Sequence, residues 1–268
     1  MTLLHGLLLL ACTGVVSDGA QQYATIGIVR DFVQDYPSAV AANSDSASAS
    51  FRESIGGVTR SGIFLHPGAV GEATVTYRGV AIPGGPSPSF LFFSTGIREG
   101  VPWDSPTQPN GVRFLLNVNC ERVFSEDLAA SVWHPHVLDL SPWSRKSVDL
   151  VFATDAIEGR TNYDWSVWGD PMLVTLTPVA NALTENTAGI AFALVDLPAP
   201  DTVTLAMGDR KQTSALPAGK HWLPLEFGAL KRFEFVSTSG TGEVKTVWMG
   251  AFGSAPAAGC GVRGGEGR

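Results

Sequence analysis

Residues 136–171, HVLDLSPWSRKSVDLVFATDAIEGRTNYDWSVWGDP, set the terms on which this chain can fold. The stretch opens with alternating apolar residues (Val137, Leu138, Leu140), breaks at Ser141-Pro142, and resumes as Val148, Leu150 and Phe152. Apolar residues two apart line one face of a strand, so this segment predicts two strands joined by a turn. It closes on 164–171, DWSVWGDP, a strand-like run carrying two tryptophans.

The same rhythm extends on both sides. A possible strand over Ile28–Asp35 is followed by 39–50, AVAANSDSASAS, which is too small and polar to pack and reads as a loop. Ser50–Ile55, Gly62–His66 and Ala73–Val80 read as strands separated by Gly56-Gly57 and Pro67-Gly68. Phe90–Thr95 is apolar on both faces, which places it in the middle of a sandwich. A proline-rich loop, 96–110, leads to the strand Val112–Val118, with Val112, Phe114, Leu116 and Val118 on one face. Arg122–Phe124 follows the Asn119-Cys120 turn, a single helical turn is expected over Ser125–Ser131, and Met172–Leu176 reads as a further strand. After a polar linker, 177–189, the strand signals return at Ile190–Val195, Thr202–Met207, Trp222–Leu225, Phe233–Ser237 and Val244–Ala251. This spacing suits a second, smaller sandwich, so the chain is all-β with two units over 28–177 and 189–253. Residues 254–268, rich in glycine and alanine, offer no apolar face and are expected to be disordered.

Charge narrows the partners. A net charge of −7 argues against a nucleic-acid duplex, whose phosphates need a basic surface. Residues 1–20 carry the apolar run Leu7–Cys12 and then small residues, which suggests a signal peptide; 9–12, LLAC, also fits a lipoprotein leader anchored through Cys12. The run is too short for a transmembrane span, which takes about 20 apolar residues. Either leader puts the protein outside the cytoplasm; the third reading is a misassigned start or a truncated upstream domain. Of the three cysteines none has zinc-ligand spacing, and Cys120 reads as a free thiol in a turn.

Several constellations could carry chemistry. Sugars present flat C–H faces that stack on indole, while their hydroxyls bond to polar side chains. Trp103, with Asp104 and Asn110 in the same loop, and Trp143, beside Arg145, are the candidate ligand-binding residues; Trp165 and Trp168 belong to the core or its rim. Asp155 and Asp164 belong to an acidic group whose oxygens could hold a structural calcium, although the spacing is not that of an EF-hand. No other cofactor is expected. His134 and His136 are read as part of a surface turn, because proline separates them and no third metal ligand stands at a fixed spacing. Carboxylates are present, but sequence spacing does not bring any two to the roughly 5–10 Å that glycoside hydrolysis requires. No GxSxG elbow occurs.

Taken together, 62–67 (GIFLHP), 90–96 (FLFFSTG), 111–119 (GVRFLLNVN), 138–141 (LDLS), Ser147–Asp155 and Asp164–Pro171 resemble the galactose-binding-domain-like jelly rolls, called NPCBM-like, that accompany glycoside hydrolases. The resemblance covers residues 28–177 and departs at Cys120, where glycine is common. Ile190–Val236, with 200–203 (PDTV) and 217–219 (PAG), is similar to the C-terminal β domain of α-1,3-glucanases. The resemblance implies a jelly-roll β-sandwich followed by a smaller β-sandwich. It also implies a non-catalytic module that binds polysaccharide or glycan beside a glycoside hydrolase catalytic domain. The alternatives are a structural or adhesion module, and a small glycoside hydrolase.

Overall fold

The computed structural model describes residues 12–15, 21–44, 46–68, 70–85, 88–105, 109–180 and 183–252. These residues form eighteen strands, numbered in chain order, with single 3-10 turns and no α-helix among them. Among the described residues no helix is long and apolar enough to cross a membrane.

Three sheets build the molecule. A five-stranded sheet runs β3 (Val40–Ala42), β6 (Ala73–Ala81), β11 (Ser147–Ala156), β8 (Val112–Val118), β9 (Glu121–Leu128). A nine-stranded sheet runs β10 (Trp133–Asp139), β7 (Ser89–Ile97), β12 (Ser166–Pro178), β2 (Gln21–Asp31), β18 (Glu243–Phe252), β13 (Gly189–Leu197), β16 (Gly219–Phe227). Its other two strands are β5 (Val58–Leu65), which pairs with β12, and β4 (Ala47–Ile55) beyond it. The third sheet is β1 (Cys12–Val15), β17 (Phe233–Ser237), β14 (Asp201–Met207), β15 (Arg210–Leu216).

The expectation of an all-β sandwich holds, and the long sheet links its halves. β12 is one strand where the sequence suggests two. It pairs with β7 from Ser166 to Thr175, while its other edge takes β5 over Val167–Gly169 and β2 over Met172–Pro178. The register shifts between Gly169 and Met172, so the sheet forks there. β2 then pairs in parallel with β18, which carries the sheet into the C-terminal strands.

Alternation decides which core each side chain joins. Leu91 and Phe93 face the five-stranded sheet, in a core that also holds Phe32, Tyr77, Phe114, Phe152 and Trp168. Ala191, Ala193 and Val195 face the four-stranded sheet with Leu205, Phe233 and Met249. The opposite faces of the same strands, Phe90 and Phe92 on β7 with Ile190 and Phe192 on β13, form a third cluster. The nine-stranded sheet is therefore folded over on itself. Phe90 stacks on Phe192 at 5.4 Å between centroids and meets Trp222 edge-on at 4.9 Å. Gln212 Nε2 donates to the Pro135 carbonyl at 3.4 Å, and Arg60 bridges Asp170 (3.0 Å) and Glu226 (2.7 Å).

Every residue of β7 is buried, as its two apolar faces predict. Four sequence readings are corrected. Residues 39–50 are not all loop, because they contain β3 and the start of β4. These strands lie at sheet edges, where backbone pairing alone holds small side chains that bury little. Ser125–Leu128 is strand, not helical turn, since β9 pairs along β8. His134 and His136 stand in the edge strand β10 and not in a turn, because an edge position tolerates Pro135. The possible strand over Ile28–Asp35 ends at Asp31, whose carboxylate accepts the Val33 and Gln34 amides and turns the chain. The polar strand β15 carries no apolar signal and escaped the sequence reading. The tail 254–268 lies outside the described residues, as do all of residues 1–20 except 12–15, which form β1.

Arg60 is the test of the fold-over. Its side chain is 10% exposed, and Arg60→Ala would leave Asp170 and Glu226 without their cation. Because Glu226 is partly solvated, the expected loss is about 2 kcal/mol rather than the roughly 3–5 of a wholly buried pair, read by urea unfolding.

Candidate functional site

Four connections meet at one end of the N-terminal sandwich: the Gly56-Gly57 turn, residues 98–105 with 109–111, the loop 129–132, and the loop 157–165. Specific bonds hold them together. The Gly57 amide donates to Glu99 Oε1 at 3.4 Å, and the Arg98 amide donates to the Trp165 carbonyl at 2.9 Å. Trp103 Nε1 donates to Ser131 Oγ at 3.3 Å, which in turn donates to the Arg98 carbonyl at 3.1 Å. Asn110 Nδ2 donates to the Ile157 carbonyl.

The surface this creates is aromatic with a charged flank. Tyr163 has a left-handed backbone (φ 65°) and is 36% exposed. Its ring meets half-buried Trp165 edge-on, 5.6 Å between centroids. Trp165 lies against Gly100, where an added Cβ would sit 3.6 Å from the indole. Arg98 is held by Glu53 through two contacts (2.9 and 2.5 Å) and lies 4.0 Å over the Phe64 ring. Such an arrangement can stack a sugar ring and address its hydroxyls, which suits reversible binding.

The sequence-derived residues divide between the two ends. Trp103, Asp104 and Asn110 are at this end; Trp103 is half-buried against the core and Asp104 is exposed. Trp143 and Arg145 lie at the other. β7 and β10 run antiparallel with Trp133 opposite Gly96 and Asp139 opposite Phe90, so the chain after β7 and the chain after β10 leave from opposite ends. About 20 Å of strand separates them. The five residues therefore do not make one surface. Trp143 packs on the core from a 3-10 turn, and the Arg145 side chain lies over Gly84. The sequence reading missed Tyr163 and the Arg98–Glu53 pair. A tyrosine between asparagine and aspartate in a polar loop is the signal that could have marked the former.

Asp164 sits directly beneath this surface. Its side chain is fully buried and neither carboxylate oxygen has a hydrogen-bond partner. Burial pushes its pKa up to about 7. Asp155 belongs to β11 and stands across from Arg113 of β8. Among the described residues no three His, Cys, Asp or Glu side chains come together to hold a metal ion, so a calcium here would depend on carbonyl and amide oxygens besides Asp164.

His134 and His136 point to the same side of β10, onto Glu126 of β9. His134 Nδ1 lies 2.9 Å from Oε1 and His136 Nε2 lies 3.0 Å from Oε2, with the Thr95 hydroxyl also on Oε2. Burial pushes the Glu126 carboxyl up, but the hydrogen bonds from both histidines, the His136 charge and Thr95 outweigh it and hold it well below the usual carboxylate range. The trio pins the two sheets together at the open edge of the sandwich.

No protein-family model and no curated protein matches the sequence. Among solved structures, the chain is similar to the CBM51-2 module, in complex with GlcNAc, and INT domains of Clostridium perfringens ZmpB: 16% identity, 57% of this chain, 29% of that one, TM-score 0.35. It is also similar to the tandem CBM51 modules of Sp3GH98, a family 98 glycoside hydrolase from Streptococcus pneumoniae: 10% identity, 85% and 94% coverage, TM-score 0.34. A third likeness is to the ZmpB M60 catalytic domain with CBM51-1 and CBM51-2, at 8% identity, 79% and 38% coverage and TM-score 0.35. The chain spans less than a third of the first of these structures. No site residue transfers at such scores.

Asp164 makes a pH test. The folded state holds its proton more tightly than the unfolded chain, whose aspartate titrates near 3.9. Its contribution to stability is full below about 3.9 and is lost as pH rises through about 7. In calcium-free buffer, Asp164→Asn is expected to flatten this decline and to melt above the parent at pH 8 in a thermal scan. An identical decline in both proteins would contradict it.

Proposed function

We propose that the chain is a non-catalytic carbohydrate-binding module, an accessory of a secreted glycan-degrading system, that takes polysaccharide or glycan at the loop end described above. The observation that carries this reading is exposed Tyr163 against half-buried Trp165, beside Arg98 and Glu53. Aromatic rings supply stacking area at low entropic cost, and the guanidinium and nearby Asp104 offer a donor and an acceptor to sugar hydroxyls. Trp103 supports the platform from behind through Ser131.

A second reading, a structural or adhesion module, is favoured by apolar side chains left exposed on the β4–β5 hairpin, Phe51 at 63% and Val58 at 45%. A small glycoside hydrolase would need two free carboxylates facing a cleft. Glu53 is committed to Arg98, and Asp164 is buried. A structural calcium remains part of the proposal, with Asp164 giving one or two of about six to eight oxygens and Asp155 the other candidate carboxylate.

Retention on insoluble polysaccharides, including an α-1,3-glucan, tests the first reading. Tyr163→Ala and Trp165→Ala are expected to weaken retention about tenfold each, the order of 1.4 kcal/mol, and Trp143→Ala to leave it unchanged. Retention that survives both loop-end changes, or no retention of the parent on any glycan, would favour the adhesion reading. Chelation is expected to lower the melting temperature of the parent and to leave that of Asp164→Asn unchanged.

A further inference from the structure

Between the folded-over halves of the long sheet runs an open groove of about 1770 Å³. One wall is β10 with the end of β9, and the other is formed by β15 and β16. Its volume exceeds the roughly 300–1,000 Å³ of a single small-ligand pocket and suits an extended chain of several units. The half-buried indoles of Trp133 and Trp222 line it.

Its charges are unevenly committed. The lining carboxylates all have internal partners: Glu126 takes His134 and His136, Asp139 takes the Ser141 amide, and Asp170 and Glu226 take Arg60. The exposed cations Arg210, Lys211 and Lys220 lie on the opposite wall, and among the described residues no ion pair or side-chain hydrogen bond engages them. Two further lining groups have unmet hydrogen-bonding capacity. Arg60 Nε, on a side chain nine-tenths buried, and Gln212 Oε1 are buried without a partner.

We propose that this groove is a second glycan-binding surface, selective for an acidic oligosaccharide carrying carboxylate or sulfate groups; the proposal rests on the carbohydrate-binding reading above. In a protein of net charge −7 the lining is formally balanced, four cations against four carboxylates, but three of the cations have no partner while every carboxylate does, and charge-assisted hydrogen bonds from arginine and lysine suit carboxylate and sulfate oxygens. The indoles and the unmet amide and guanidinium groups suit the sugar ring and its hydroxyls. An acidic peptide would share only the charge.

Affinity electrophoresis of the full chain in gels containing polygalacturonate, chondroitin sulfate, a soluble neutral galactan or polyglutamate tests this. The expected result is retardation by an acidic polysaccharide beyond that by polyglutamate. The triple variant Arg210→Gln, Lys211→Gln, Lys220→Gln should weaken it about tenfold or more, with neutral-glycan binding and the unfolding midpoint unchanged. Equal retardation by polyglutamate, or an unaltered triple variant, overturns the inference. Binding of neutral glycans alone overturns the groove proposal and leaves the loop-end reading standing; binding of no glycan removes both.

Discussion

The structure depends on β12. One thirteen-residue strand pairs with β7 along one edge and divides its other edge between β5 and β2. Backbone polar groups in a buried strand must all find partners, so the fork at Asp170 and Pro171 fixes where each neighbour begins. The bulge brings the Asp170 carboxylate to the Ser61 amide (3.0 Å) and to Arg60, and through Arg60 to the far half of the sheet. Trp168, two residues before the fork, is fully buried among Phe93, Phe114 and Phe152. Filling the core and forking the sheet are thus tasks of one short run, and that run is the end of the stretch from which the sequence reading began.

The candidate site inherits its shape from the same strand. β12 opens at Ser166, immediately after the turn that displays Tyr163 and Trp165, and the Ser166 hydroxyl donates to the Leu65 carbonyl, as Thr154 does. Anchoring the strand at its first residue leaves Asp164 beneath the loop, away from water and from any donor. A buried carboxyl without partners is costly when ionised, so this loop is stable at the expense of a raised pKa. That cost makes Asp164 responsive to pH.

Strands with a strong apolar period were legible. β8 and β17 match their expected bounds to the residue, and β7 was placed correctly between two covering layers, because burial imprints directly on alternation. Edge strands were legible only in part: β3, β15, the end of β9 and the start of β10 bury few side chains and are held mainly by backbone pairing, which leaves no trace in side-chain chemistry. The aromatic end was half legible. Trp103, Asp104 and Asn110 lie in a loop that the sequence marked as a candidate, whereas separating Trp143 and Arg145 from it required knowing that β7 and β10 are antiparallel neighbours, and a pairing between distant segments is invisible to local pattern. Glu126 between two histidines was missed for the same reason: its partners come from the strand across the sandwich edge.

The central claim is that glycan meets the protein at the loop end through aromatic faces. The most direct measurement is a titration of the isotope-labelled chain with the polysaccharide fragments it retains, following the indole N–H resonances of all seven tryptophans by NMR. The account predicts shifts for Trp165 and Trp103 with neutral glycans, while Trp143 and the buried Trp168 stay in place. Shifts confined to Trp143, or no indole shift at saturating glycan, would contradict it.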